Sequence, residues 1–170
     1  MTDDIRRLCK NIEDGTQEDA WEAAKRLEST VNDTVSFLLR VMVDGKETGT
    51  RAAAAYVLGF CRFASARVSL EEILDNVRED PFVRGHAAES LAYIGDPRST
   101  DLLLRHLHDS NLGVRYWCTF ALGQTGTMQA VSALKRMAES PGDEFYEGRS
   151  LRKEALAAVS EIEKRTKGHS

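Results

Sequence analysis

A short segment anchored by an arginine recurs four times along the chain. The copies read GTRAAAAYVLGFCR, FVRGHAAESLAYIG, GVRYWCTFALGQTG and SLRKEALAAVSEIE, and their anchors are Arg51, Arg84, Arg115 and Arg152. A small or aliphatic residue follows each anchor at three, four, seven and eight positions, which is the spacing of one helix face. The anchors lie 33, 31 and 37 residues apart, and a period of this length indicates a stack of repeated helical units.

A second amphipathic segment precedes each anchored segment, so every unit is predicted to be an antiparallel pair of helices. These preceding segments cover 34–42, 70–77, 99–107 and 130–137. The prediction is an all-α fold, a right-handed α-α superhelix of about five antiparallel helix pairs in a single domain over 1–170. Its repeats are expected at 33–64, 69–95, 98–126 and 128–165, after a degenerate N-terminal capping pair at 1–30.

Composition excludes several classes of protein. The chain has 170 residues, enough for one core, and a formal net charge of -4, which gives no strong attraction to nucleic acid. Its three cysteines lie far apart without metal-ligand spacing, so no metal site is expected. No stretch has the apolar length of a membrane span and the N-terminus lacks a signal-peptide pattern, so we expect a cytoplasmic protein with no membrane contact.

The anchoring arginines require a partner, because a cation in the first turn of a helix faces the positive end of the helix dipole. An aspartate precedes each of the first three anchors by a few residues. The predicted structural ladder consists of Asp44, Arg51, Asp80, Arg84, Asp109, Arg115 and Arg152, with Asp143 a less secure partner for the last arginine. The alternative is that each aspartate is only an N-cap or turn residue and each arginine is solvated.

The stretch LLLRHLHDSNLGVRYWCTFALGQTGTMQAVSAL resembles a HEAT repeat of the short bacterial type also found in phycobilin lyases. The resemblance covers 98–138 and 70–105 well and the two ends of the chain poorly. It implies a helical solenoid. Proteins with this fold mostly offer a curved binding surface, and a few are enzymes.

Positions two, five and nine after each anchor are expected on the concave face of such a solenoid. Aromatic residues are enriched at these positions, as they are in interfaces. The predicted partner-binding residues are Tyr56, Phe60, His86, Glu89, Tyr93, Tyr116, Trp117, Phe120 and Gln124, with Phe145 and Tyr146 as candidates in an inserted loop at 140–150. Three alternatives stay open. The rings pack between adjacent repeats instead of facing a partner, and Phe145 lies tucked under its loop instead of being exposed. His86 and Glu89 form either an acid/base pair or a plain surface hydrogen bond.

These features predict a non-enzymatic scaffold that binds a partner protein or peptide on its concave face. No catalytic residue, cofactor or nucleic-acid partner is expected, and the oligomeric state stays open. Two alternatives remain at this point. One is a subunit resembling bilin lyases or chaperones that binds a tetrapyrrole or its carrier protein. The other is a HEAT-like enzyme that binds nucleic acid, which the acidic concave positions disfavour.

Overall fold

The structure, a computed structural model, describes residues 31–168, and within this range the chain forms eight α-helices. Their bounds are α1 Val31–Asp44, α2 Thr48–Phe60, α3 Arg67–Asp75, α4 Pro81–Ile94, α5 Thr100–Arg105, α6 Leu112–Thr125, α7 Met128–Glu139 and α8 Leu151–Lys167. Short 3-10 helices at Ala64–Ala66, Pro97–Ser99 and His106–His108 join some of them, and strands β1 (Phe145–Tyr146) and β2 (Arg149–Ser150) form a small hairpin. None of the described helices is long and apolar enough to cross a membrane.

Consecutive helices pack in pairs, and the pairs stack side by side. Each odd-numbered helix packs on the even-numbered helix that follows it, and the even-numbered helices α2, α4, α6 and α8 also pack on one another in chain order. The even-numbered helices are therefore the inner layer of the stack. This arrangement agrees with the repeated helix pairs predicted from the sequence, while the predicted pair at 1–30 lies outside the described residues.

Polar side chains at the helix starts explain several of the boundaries. The Asp80 carboxylate accepts a hydrogen bond from the backbone N–H of Phe82 at 2.8 Å and caps α4, whose first residue is Pro81. Helix α4 ends at Gly95, which has a φ of 76° and so adopts the left-handed conformation that terminates many helices. Asn111 caps α6 in the same way through the N–H of Val114.

Small residues on the inner helices let neighbouring pairs approach closely. The four positions predicted to face the core are buried in α2, α4 and α6. A Cβ atom on Gly59 would overlap the backbone of Ser90 on the next inner helix, and one on Gly123 would lie 3.1 Å from the Cα of Ala158. In α8 the prediction is wrong at Leu156 and Ser160, which are exposed, because these positions face a following pair and no described helix follows α8.

An ion-pair ladder links three adjacent pairs of helices, with partners that differ in part from the prediction. The pairs are Arg51 with Glu79 at 2.7 Å, Arg84 with Asp109, and Arg115 with Glu144 at 2.5 Å. Each carboxylate comes from the turn that precedes the next inner helix. Asp80 caps its own helix instead of pairing with an arginine, and Asp44 is an exposed residue at the end of α1.

The arginines also bond to backbone carbonyl groups of the turn before their own helix. Arg51 donates to the carbonyl of Gly45 at 2.9 Å, and Arg115 donates to that of Asp109 at 2.8 Å. Arg152 donates to the carbonyls of Ser140 at 3.0 Å and Gly142 at 2.6 Å. No described carboxylate forms a side-chain ion pair with Arg152, so its predicted pairing with Asp143 is limited to a backbone contact.

Arg84 is the most buried member of the ladder. Its side chain is 4% exposed, and it bonds to the Leu74 carbonyl as well as to Asp109 and His106. Burial alone would raise the pKa of Asp109, but the hydrogen bonds and charge of Arg84 lower it overall. The same network extends to Asp75, whose carboxylate lies 2.8 Å from Nε2 of His106, and this hydrogen bond lowers the pKa of Asp75.

Two of the three cysteines fall in the described range and are not in disulfide bonds. Cys118 is buried and Cys61 is half-buried. Burial raises the pKa of both thiols, to about 11 for Cys61, so both are protonated and poorly nucleophilic at neutral pH. Both are therefore unreactive packed side chains, and Cys9 lies outside the described residues.

Candidate functional site

Four aromatic rings from α2 and α4 form a first aromatic group on the inner layer. It consists of Tyr56, Phe60, His86 and Tyr93. The Tyr56 and Phe60 rings stack at a centroid distance of 5.7 Å, and Tyr93 meets both of them edge to face at 6.1 and 6.3 Å. His86 approaches Tyr56 at 6.1 Å. The predicted face therefore brings together rings that lie 37 residues apart in the chain, from Tyr56 to Tyr93.

Glu89 lies beneath this group, and its predicted exposure is wrong. Glu89 is only 6% exposed, because donors one helical turn before and after it close over its carboxylate. The Tyr93 hydroxyl donates to one oxygen at 3.0 Å, and Nδ1 of His86 lies 3.0 Å from the other. Burial, together with the negative charge of Glu89, raises the pKa of Tyr93 and keeps its hydroxyl protonated. The result is a buried carboxylate in which each oxygen has a side-chain partner.

A second aromatic group comes from α6 and the hairpin. It consists of Tyr116, Trp117, Phe120 and Tyr146. The Trp117 ring lies 5.4 Å from Tyr116, 5.7 Å from Phe120 and 6.4 Å from Tyr146, measured between centroids. The guanidinium of Arg149 lies 5.8 Å from the Tyr116 centroid and 5.7 Å from the Trp117 centroid, within the range of cation–π attraction.

The two loop candidates differ in their environment. The predicted loop at 140–150 contains the hairpin of β1 and β2, which places Tyr146 against Tyr116 at 5.5 Å and leaves Phe145 59% exposed. Side chains on adjacent residues of a strand point to opposite sides, so only one of the two can face α6. Tyr146 therefore belongs to the second aromatic group, and Phe145 is not tucked under its loop.

Some of the predicted aromatic rings are partly exposed, and one packs between repeats. Tyr116 is buried at 4% exposure, and its hydroxyl donates to Glu154 on α8 at 3.0 Å. The other predicted rings, Tyr56, Phe60, Tyr93, Trp117 and Phe120, are half-buried, and Gln124 is exposed. The inner face is thus a surface of partly accessible rings, while Tyr116 packs between repeats.

The structure adds two residues to this face that the sequence pattern does not predict. Arg149 lies in the inserted hairpin, and its position over two rings depends on the hairpin turn at Glu147 and Gly148, which have φ values of 49° and 75°. Phe82 lies 4.6 Å from the His86 ring although it falls outside the helical positions chosen for the face. The helical periodicity holds no signal for either residue.

Comparisons with known proteins agree with the fold. A family model described as HEAT repeats matches residues 68–158. The solved structure of human deoxyhypusine hydroxylase in complex with glycerol superposes with a TM-score of 0.58, covering 94% of this chain and 63% of that chain at 18% identity. At this identity the likeness shows the fold alone. The predicted all-α HEAT-like solenoid is confirmed.

Several proteins with related sequences share the name of this structural neighbour. The rice protein deoxyhypusine hydroxylase-B is 34% identical over 121 residues, which are 69% of this chain and 39% of the rice protein. The mouse deoxyhypusine hydroxylase is 31% identical over 97 residues, 57% of this chain and 32% of its own length. The human enzyme is 33% identical over 75 residues, 44% of this chain and 25% of its own length. The matches thus span a quarter to two fifths of each relative.

These relatives overturn the functional prediction. The expectation of a non-enzymatic scaffold is wrong, because the relatives and the structural neighbour are named as enzymes. The bacterial, bilin-lyase-like subtype is not supported either, since the three relatives are plant and animal hydroxylases. None of these relatives is named as a tetrapyrrole-binding or nucleic-acid-binding protein. The resemblance was specific for the repeat pattern, which many activities share.

Hydroxylation of a saturated carbon generally requires a group that activates oxygen, such as iron held by histidines and carboxylates. The described residues do not fit such a metal. Within 31–168 no cluster of three or more suitable side chains exists. His86 is surrounded by rings and a single carboxylate, and the carboxylate of Asp109 beside His106 already binds the guanidinium of Arg84.

Proposed function

The chain belongs to the HEAT-repeat family, and on that premise we propose that it acts in the enzymatic modification of a protein side chain. In this proposal the inner face of the solenoid binds the substrate protein and orients the side chain that is modified. The residues assigned to this face are the first and second aromatic groups together with Glu89 and Gln124. No chemical step is assigned to the described residues, because they do not fit an oxygen-activating metal.

The buried carboxylate of Glu89 supports this proposal most directly. It lies among half-buried rings on the inner layer, and His86 and Tyr93 each contact one of its oxygens at 3.0 Å. A carboxylate in a partly desolvated site attracts a cation more strongly than one in open water. Aromatic faces add attraction for the same kind of group. The arrangement therefore suits a basic side chain of a protein.

The names of the relatives agree with this chemistry. Deoxyhypusine is a residue derived from lysine with two amine groups, so it is cationic at neutral pH. We propose that this chain binds an amine-bearing side chain of that type in its substrate protein. The partner is then a protein, and the surface that binds it is the inner face.

Removing this protein from an extract of its source cells, and then adding it back, tests the proposal. Antibody depletion of the chain should slow the gain of one oxygen atom by a peptide that contains deoxyhypusine, as measured by mass spectrometry. Adding back the wild type should restore the rate, whereas Glu89→Gln, which preserves shape and removes the charge, should restore much less. Glu163→Gln is the matched control, because Glu163 pairs with Lys135 away from the rings. An unchanged rate after complete depletion would refute the proposal.

A further inference from the structure

A cavity of about 170 Å³ opens between the first turns of α4 and α6. Its walls include three aromatic rings, Phe82, Trp117 and Tyr146, together with the imidazole of His86. The volume corresponds to about five or six water molecules, enough for an ammonium group and the carbons attached to it. Glu89 does not line this cavity, but His86, which does, contacts the Glu89 carboxylate at 3.0 Å.

Two glycines position the aromatic walls. A Cβ atom on Gly113 would lie 2.7 Å from Cε2 of Tyr146, so this ring occupies space that another residue would fill. A Cβ on Gly85 would lie 3.2 Å from Cδ1 of Trp117. Both glycines lie in helices, where glycine costs about 1 kcal/mol relative to alanine. Close approach of the rings to the helix backbone accounts for both.

Charged groups of both signs lie near the cavity. The guanidinium of Arg149 lies 5.8 Å from the Tyr116 centroid and 5.7 Å from the Trp117 centroid, which shows that a cation can approach these rings. Burial first, and then the negative charges of Glu147 and Glu89, raise the pKa of the Tyr146 hydroxyl. The Tyr146 hydroxyl therefore stays protonated at neutral pH, and this wall of the cavity is an uncharged phenol ring.

We propose that this cavity binds an alkylammonium group, with Trp117, Tyr146 and Phe82 as the rings around the charge. Several aromatic rings around one cavity are the arrangement by which proteins bind methylated or alkylated amines. The identity of the group as the amine end of a substrate side chain rests on the proposed function. The cation preference of the cavity depends only on its aromatic lining.

Isothermal titration of the full chain with choline and with its neutral isostere 3,3-dimethylbutan-1-ol tests the cavity directly. The two probes have nearly the same shape and differ in charge. Choline should bind several-fold more tightly than the alcohol, because only the cation is attracted by the ring faces. Equal affinities, or no binding of choline, would overturn the proposal.

Matched variants assign the binding to this cavity. Tyr146→Leu should weaken choline binding by roughly 2- to 30-fold, the range that corresponds to the loss of one cation–π contact. Phe145→Leu, on the exposed side of the same strand, should leave the affinity unchanged. Trp117→Leu gives a second loss, and circular dichroism of all variants verifies the helical fold. Equal effects of the two hairpin variants would contradict the assignment.

The two proposals fail separately. Choline binding that depends on Tyr146, combined with an unchanged oxygenation rate after depletion, would refute the proposed function and leave the cavity assignment supported. A depletion effect restored by wild type, combined with no charge preference between choline and the alcohol, would refute the cavity assignment alone.

Discussion

Removal of the Asp109 carboxylate should destabilise the fold far more than removal of the equivalent carboxylate one repeat later. Asp109 pairs with Arg84 on a site where the two side chains are 7% and 4% exposed. In Asp109→Ala the guanidinium of Arg84 keeps the Leu74 carbonyl and His106 but loses its only described carboxylate. A buried cation is then left without a compensating charge, which is the costly way to disrupt an ion pair.

The expected magnitude follows from this burial. Loss of one partner of a buried pair typically costs about 3–5 kcal/mol, and the loss of the hydrogen bond from the N–H of Asn111 to Asp109 adds to it. For a chain of this size each kcal/mol lowers Tm by about 2–4 °C, so Tm should fall by roughly 6–20 °C. Glu144→Ala removes the partner of Arg115, but Glu144 is 56% exposed, so its loss should cost below about 1 kcal/mol.

Urea unfolding followed by circular dichroism measures both variants on the same scale. Asp109→Asn keeps one oxygen acceptor and should lie between the wild type and Asp109→Ala. Similar losses of stability in Asp109→Ala and Glu144→Ala would contradict this prediction, because burial would then not distinguish the two ladder positions. A loss in both of more than about 3 kcal/mol would indicate that the whole ladder acts as one cooperative unit.

Three further predictions concern acid stability, the second aromatic group and the exposed end of the inner layer. The pKa values of Asp75 and Asp109 are lowered in the folded state, so the stabilisation by these carboxylates is present above the unfolded pKa of about 4 and is lost as pH falls. When the pH is changed from about 5 to about 3, urea unfolding should therefore show a smaller decrease in the free energy of unfolding for Asp109→Asn than for the wild type. Trp117→Ala should lower the free energy of unfolding by about 1–3 kcal/mol, which is less than the loss expected for a fully buried tryptophan, because Trp117 is half-buried. A loss below about 0.5 kcal/mol would show that the ring does not pack on Gly85. Leu156→Lys on α8 should change the free energy of unfolding by less than about 0.5 kcal/mol, because Leu156 is exposed. Leu122→Ala, at a buried position of α6, should lower the free energy of unfolding by about 2–5 kcal/mol. A large loss of stability in Leu156→Lys would mean that this face of α8 is covered in solution.

The repeat pattern was sufficient to predict the helices and their stacking. Positions such as Ala54, Leu91 and Leu122 recur because each inner helix must bury the same face, and that requirement is visible in one sequence. The same pattern failed at Leu156, because burial there depends on a following pair of helices and not on the helix itself. The choice between Asp80 and Glu79 as partner of Arg51 depends on turn geometry, for which the sequence held no signal.

The sequence was sufficient to predict which residues form the candidate site, but not how deeply each side chain is buried or which partners it contacts. Helical spacing placed Tyr56, His86 and Trp117 on one face. It could not show that Glu89 is enclosed by its neighbours on the same helix, since the rotamers of His86 and Tyr93 decide this. The activity class was beyond the pattern, because the residues that build a HEAT stack are the same in binding proteins and enzymes.

The proposed function and the cavity assignment together predict that an amine-bearing side chain of a protein enters the inner face beside Trp117. The indole N–H signals in a two-dimensional ¹⁵N NMR spectrum test it directly, since the chain has two tryptophans and a Trp21→Phe variant assigns the signal of Trp117. Addition of a deoxyhypusine-containing peptide should shift the Trp117 signal, while the same peptide with its amines acetylated should not, because acetylation removes the positive charge. An unshifted Trp117 signal at saturating peptide, or equal shifts with the two peptides, would contradict the account.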